Sequence, residues 1–475
     1  MKKITIILLL GFLALSIQSC DKFFDVNTNP DSPADAPYYM VFPRAVLGTA
    51  AVTGGQYAIL GTLWSQHFTQ SNTAQQYLRW VYNDVSPEAL GSSFNSLYVN
   101  ALRNYSIVKQ QAAEAENWKF YLMATVMEVY TAQVLTDLHE DIPFSEALLA
   151  VQGNLSPIYD KSQDIYDALI SRIDEALSKD FTLNTNNEGD AAENDKIFGG
   201  NINKWIQFAN TLKLRIYLRQ IYIREPLSLA GITSLLAENN FLTEDAKIGD
   251  FANEAGKYNP LYGSEVASSG LGDPNIRGCN TFLNFMNTNN DTRLAFIYKY
   301  APNTSVYKAI DYGSRPTSDI VPNNSLSRGQ FAPTDPVVFI SKAESQFLQA
   351  EAKEWKTQSG KDNYDAGVLA SFAKYGLDGS SYIAAGGVYE YPSGTFDEKQ
   401  AAIITQKWVD CAITNPIESY FEYNRTGYPN FLISAVNSIY TGIFPKRLPY
   451  PSTETDRNPN TPENKGIGEK IWWNK

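Results

Sequence analysis

Apolar positions recur every three or four residues through most of the chain, the spacing of amphipathic helices. The pattern predicts two short apolar helices over 38–53 and 57–70, broken by Gly54-Gly55. A long antiparallel pair follows over 87–116 and 118–138. In its second member Trp118, Tyr121, Leu122, Thr125, Val126, Val129 and Tyr130 fall along one face. Further helices are predicted over 158–178, where Ser156-Pro157 is a start signal, over 203–224 and over 226–239. An Asn/Asp/Glu-rich loop occupies 179–196. From about 240 to 336 the periodicity dissolves into Gly, Asn, Ser and Pro, with one helical island at 280–289. A loop region of that length inside an ordered protein is usually functional. Helical spacing returns over 339–355, 363–375, 397–412 and 417–423, and the last stretch, 445–475, is Pro-rich and extended. The helices group into about four pairs, at 87–138, 158–224, 339–376 and 397–424, which predicts stacked helix-turn-helix units.

The N-terminus departs from this pattern. Lys2-Lys3 precede an almost unbroken apolar run from Ile4 to Ile17, with no polar face and too short to span a bilayer. That is the form of a secretory leader. Gln18-Ser19-Cys20 then places a cysteine after a small residue, which resembles a bacterial lipobox, although Gln18 and Ile17 depart from its commonest residues. The expectation is a signal peptide over 1–19, acyl chains on Cys20 and an Asn/Asp/Pro-rich tether over 20–37. Several acyl chains hold a protein to a membrane where one does not. The expected body is a single unit over 38–475, with long loop insertions at about 240–336.

Composition narrows the function classes. The formal net charge is −12, and no basic stripe is present to neutralise phosphates, so nucleic acid is not an expected partner. Tyr (29) and Phe (24) exceed what core packing needs, so part of the aromatic content is expected in loops or at binding surfaces. Beyond Cys20 the cysteines are Cys279 and Cys411, each expected as a buried free thiol. With only His67 and His139, and no Cys-x-x-Cys, a zinc site is not expected.

A search for catalytic motifs finds no Gly-rich phosphate loop, no Gly-x-Ser-x-Gly and no His-Glu-x-x-His. His139, within Asp137-Leu138-His139-Glu140-Asp141, reads as a solvated helix C-terminus rather than a metal or acid–base site. A helical glycoside hydrolase would need two positioned carboxylates. Glu351 and Glu354 share a helix, but among 51 acidic residues nothing marks out a pair.

Several motifs stand out in order along the chain. They are Asp141-Ile142-Pro143-Phe144, Ser156-Pro157-Ile158-Tyr159-Asp160, Asp195-Lys196-Ile197-Phe198-Gly199-Gly200, and Phe208-Ala209-Asn210-Thr211-Leu212-Lys213-Leu214-Arg215. Ala343-Glu344-Ser345 leads into Ala350-Glu351-Ala352, then come Gln406-Lys407-Trp408, Asn424-Arg425-Thr426-Gly427-Tyr428-Pro429 and Lys446-Arg447-Leu448-Pro449. Taken in this order, the set resembles the SusD/RagB-like outer-membrane lipoproteins of Bacteroidetes, and more narrowly the second SusD-like subgroup. The resemblance implies an all-α body with about four tetratricopeptide-like helix pairs on one side and irregular loops on the other. It also implies a non-catalytic role: a lid over a SusC-like TonB-dependent barrel that captures oligosaccharide, or peptide, and delivers it. No cofactor is required by it, although some relatives carry a bound cation. The motif residues themselves read as fold markers. Arg215 and Arg219 on an apolar helix are expected buried and paired, and Arg425 to Pro429 as a helix end with a rigid turn.

The ligand residues are not carried by these motifs. The richest segment for sugar binding runs from Trp64 to Tyr82, read as non-helical, with Trp64, His67, Gln70, Tyr77 and Trp80 as candidates. A second lies in the long loop region, at Asp273, Asn275 and Arg277. Rings cover the apolar face of a sugar while amides and charged groups take its hydroxyls. The plainer readings are a loop packed down on the body for the first segment and an ordinary polar turn for the second. A secreted hydrolase and a purely structural surface lipoprotein remain alternatives.

Overall fold

Four helix pairs carry the chain in the computed structural model, which describes residues 36–183, 188–322, 324–438 and 442–475. The expected leader and Cys20 lie outside the described residues. Helices α1 (Tyr38–Thr53) and α2 (Gln56–Trp64) come first. The pairs are then α3 (Arg103–Glu114) with α4 (Trp118–His139), and α5 (Ser162–Leu177) with α6 (Ile202–Arg219), the latter trailed by α7 (Glu225–Glu238). After a short helix α8 (Asn280–Thr288) come α9 (Lys342–Trp355) with α10 (Lys361–Ala373), and α11 (Phe396–Cys411) with α12 (Pro416–Thr426). A π-helical segment, Leu97–Leu102, extends α3 backwards.

Local chemistry sets the ends. Asn117, Asn201 and Ser341 accept the N3 backbone N–H of α4, α6 and α9, and Thr395 with Glu398 forms a reciprocal capping box on α11. Pro416 opens α12 and Gly427, at φ +79°, closes it. Helix α4 is apolar almost all round and buried almost all round, which makes it the central helix. Gly61 lets α2 lie against the backbone of Ile417 in α12, where a Cβ would collide. One core runs from Tyr38 to Trp473.

Elsewhere the structure departs from the expected elements. Phe339 and Ile340, expected to open a helix, belong to a strand instead: Val337-Val338-Phe339-Ile340, all buried, pairs antiparallel as β4 with β2 (Ala246–Ile248). A second ribbon pairs β1 (Phe68–Gln70) with β3 (Ile276–Gly278). Residues 64–82 are therefore not a plain loop, since Trp64 closes α2, β1 follows, and Leu78–Val81 makes one helical turn. His139 is not solvated either. Its ring packs against Phe94 and Tyr450, and burial pushes its pKa down to about 3.

Where the pairs meet, the motif residues form a buried ionic junction. Arg219 faces Asp137 at 3.2 Å, Glu418 at 2.7 Å and Glu422 at 2.8 Å. Arg425 forks onto Glu351 at 2.7 and 2.8 Å and also pairs with Glu422. Lys407 reaches Glu418 at 2.9 Å and Glu344 at 3.4 Å, and Arg215 bonds Gln133. None of these nine charged side chains is more than 3% exposed. Burial works to raise the carboxylate pKa values, but Arg219, Lys407 and Arg425 hold Glu418 and Glu422 below the usual range. At Asp137 and Glu344 burial prevails, and Asp137 rises to about 6. Glu354 is also engaged, by the Gly360 N–H, the Tyr391 hydroxyl and Lys399. Cys279 and Cys411 are buried free thiols.

Candidate functional site

The β1–β3 ribbon brings the two sequence segments together. Thr69 stands opposite Arg277 and Gln70 opposite Ile276, the Ser71 N–H donates to the Asn275 carbonyl at 2.7 Å, and the Asn275 amide donates to Gln76 at 2.8 Å. The side chains named from sequence, however, mostly turn inward. Trp64 donates to the Trp80 carbonyl at 3.0 Å and lies against Tyr420; Trp80 packs on Tyr77. Gln70 accepts the Tyr77 N–H and donates to the Ala74 carbonyl, and the Tyr77 hydroxyl donates to Glu265. His67 has no exposed surface, and burial lowers its pKa to about 3. Its Nε2 lies 2.9 Å from the Trp408 carbonyl and so carries the proton. Arg277 is buried and pairs with Asp273 at 2.9 Å. Trp64, His67, Gln70, Tyr77, Trp80 and Arg277 are thus buried, Gln70 and Arg277 within two short strands whose every position is covered and the others beside them. Of the eight, only Asp273 and Asn275 reach solvent.

An open, mixed apolar and polar surface lies one layer further out, along α8. This helix buries Phe282, Leu283 and Met286. Its other side carries two rows at i, i+4, i+8 spacing: Asn280, Asn284 and Thr288, and beside them Thr281, Phe285 and Asn289. Two depressions adjoin it. One, of about 410 Å³, is walled by Asn280, Asn284, Asp311 and Ile433. The other, of about 310 Å³, is walled by Val388, Glu390, Pro392 and Thr405. They share Phe285, Asn289 and Phe431, so they form one groove in two sections. Phe431, 36% exposed, stacks on Phe285 with ring centroids 5.3 Å apart and planes 19° from parallel. Tyr389 lies parallel to Phe285 within 9°, and buried Trp408 meets both phenylalanines edge-on.

The buried sequence candidates hold this groove from beneath. The His67 ring lies between Phe282 and Trp408, at 5.5 and 5.1 Å. The neighbouring Gln66, held at φ +57°, donates to the Ile433 carbonyl at 2.6 Å, while its oxygen accepts the Thr281 hydroxyl and the Ile433 N–H. One buried amide thus pins the 431–433 wall to α8. Behind the second section, the Tyr389 hydroxyl donates to Asp291 at 2.7 Å, and Asp291 pairs with buried Arg293. The one linear signal for the site was the polar-plus-aromatic face of the 280–289 island; nothing in the sequence marks Phe431 or Ile433.

Among the described residues, no group of three or more His, Cys, Asp or Glu side chains could hold a metal. Nor is any described helix long and apolar enough to cross a membrane. The site offers aromatic faces, amides and hydroxyls, which bind by stacking and hydrogen bonding.

The fold has many counterparts. A SusD homologue from Bacteroides uniformis shares 23% identity over 92% of this chain and 99% of its own, at a TM-score of 0.76. A chitin-binding protein shares 24% over 91% and 99%, at 0.74. A chitin-binding SusD homologue from Flavobacterium johnsoniae shares 20% over 93% and 98%, at 0.73. No curated protein matches the chain. The family model SusD-like_2, described as starch-binding and associating with the outer membrane, matches residues 40–451. With nearly its whole helical body matched, the chain belongs to this SusD-like family.

Proposed function

We propose that this protein captures oligosaccharide at the cell surface in the α8 groove and passes it, uncleaved, to a SusC-like TonB-dependent barrel. Acyl chains on Cys20 hold it to the outer membrane. The observation that carries this reading is the stacked Phe285–Phe431 pair, Phe431 exposed over half-buried Phe285, among Asn and Thr side chains in a groove of two sections. A ring covers the apolar C–H face of a pyranose, and flanking amides donate to and accept from its hydroxyls. Each section falls within the ~300–1,000 Å³ range of small-ligand sites, so together they suit several sugar units. Chitin binding by two structural relatives favours the same ligand class. The helix-borne carboxylates are engaged in ion pairs, Glu351 in a buried one with Arg425 and Glu354 in a partly exposed one with Lys399, which favours binding over hydrolysis.

The test is recovery of the tagged full chain from outer membranes, followed by binding to immobilised oligosaccharides and peptides. A stoichiometric barrel and a glycan hit are expected. Peptide binding without glycan binding would replace the ligand class, and recovery with no barrel would overturn the delivery role.

A further inference from the structure

We propose that the α8 groove selects neutral oligosaccharides and rejects anionic ones, with Asp311 and Glu390 setting that selectivity from its two sections. The inference rests on the capture reading above and deepens it by naming the charge class of the ligand.

Asp311 and Glu390 are both exposed, one in each section of the groove. Asp311 is held in place by the Asn280 amide at 2.7 Å, and Glu390 by the Gly386 N–H at 2.7 Å. Among the described residues lining either section there is no lysine or arginine. Proteins that bind carboxylates, sulfates or phosphates place guanidinium forks or ammonium groups against them. Here the nearby guanidinium, on Arg293, is fully buried and already occupied by Asp291 at 2.6 Å and Gln406 at 3.0 Å.

A uronate, sialyl or sulfated unit seated across Phe431 would therefore bring its charge between two carboxylates with no counter-cation. Like charges juxtaposed in a site suppress wrong partners. The net charge of −12 adds a long-range bias of the same sign. A neutral sugar meets no such opposition. The side chains of Asn284 and Thr288 are exposed, and amides and hydroxyls both donate and accept, which suits hydroxyl and acetamido substituents.

The experiment applies the full chain, purified in detergent, to an array of neutral and anionic oligosaccharides, and then titrates a neutral hit and its 6-O-sulfated derivative at low and high salt. The expected result is hits among neutral glycans only, with the sulfated derivative at least about tenfold weaker at low salt. That gap should narrow at high salt, where screening shortens the reach of exposed charges. It should also narrow in the Asp311→Asn/Glu390→Gln double variant, whose exposed sites leave the core untouched. Equal or tighter binding of anionic glycans would overturn the inference while leaving glycan capture standing. So would a sulfate penalty unchanged in the double variant. Absence of any glycan hit, with peptide binding instead, would overturn the capture reading itself.

Discussion

The buried ionic junction and the α8 groove are both built from polar side chains around aromatic rings, and they differ in where those side chains find their partners. In the junction, Arg219, Arg425 and Lys407 meet carboxylates from three helices, and no side chain there is more than 3% exposed. Each of its charges faces an opposite charge within the chain. In the groove, Phe431 is 36% exposed and Asn284 and Thr288 face solvent, so part of the hydrogen-bonding and stacking capacity is left for something else. The junction resembles a registry device that fixes how helix pairs meet, whereas the groove resembles a receptor. The lesson is that the side chains easiest to notice in a sequence, charged or aromatic within long motifs, are those the fold has already used.

The comparison can be broken most forcefully at Arg219. Replacing it with methionine leaves Asp137, Glu418 and Glu422 buried without their shared cation, and breaking a buried pair from one side costs about 3–5 kcal/mol. Denaturant unfolding should show that loss, while glycan affinity per folded molecule stays unchanged. A parallel loss of affinity would mean that junction and groove are one coupled unit.

Acid tests the layer between them. The chain has two histidines, and both are buried and held neutral down to about pH 3. Once unfolded, each returns to about 6.5 and takes up a proton below it. The stability each contributes is therefore complete above pH 6.5 and lost as the pH falls, at about 1.4 kcal/mol per unit per histidine. Asp137 works the other way. Its folded value is raised to about 6, so its contribution is complete below about pH 4 and lost as the pH rises towards 6. Glu344, also raised, acts in the same sense as Asp137. Relative to wild type, His67→Gln should gain about 1.4 kcal/mol per unit as the pH drops from 6 to 4, read from unfolding at each pH. A constant difference would show that His67 is not held neutral in the fold.

At the groove, Phe431→Ala should cost about 2 kcal/mol of glycan affinity, the scale of a binding hot spot. Because the ring is already 36% exposed, the melting temperature should move little. Calorimetric titration against thermal unfolding separates the two effects, and a large stability loss with intact affinity would make Phe431 a packing residue. The smallest effect is expected at Glu344→Gln. Its carboxylate oxygens have no hydrogen-bond donor among the described residues, and the junction holds five acids against four bases. Neutralising it should change stability by less than ~1 kcal/mol, in contrast to Arg219→Met. A loss as large as that of Arg219→Met would show that the junction needs every charge.

Helix positions were legible because burial of one face imposes a period on the chain, and that period survives in any order of packing. The segments 38–53, 118–138 and 203–224 each contain a real helix for that reason. The buried pairing of Arg215 and Arg219 was legible as well, since charge on an apolar stripe has to be matched. The strand at 337–340 was not, because four consecutive apolar residues fit a buried strand and a helix start equally, and only pairing with residues 246–248 decides between them.

By itself, then, the sequence determined the helical body, the family to which it belongs and the ordered motifs that knit its pairs together. These depend on local periodicity and on charges that must be compensated. Only the tertiary structure decided which aromatic and amide groups face outward. Trp64, His67 and Trp80 went inside and became support, while Phe285 and Phe431, 146 positions apart, came together as a stack whose outer ring, Phe431, is exposed. Whether a ring is buried depends on what covers it, and in this fold the cover comes from chain segments hundreds of residues away.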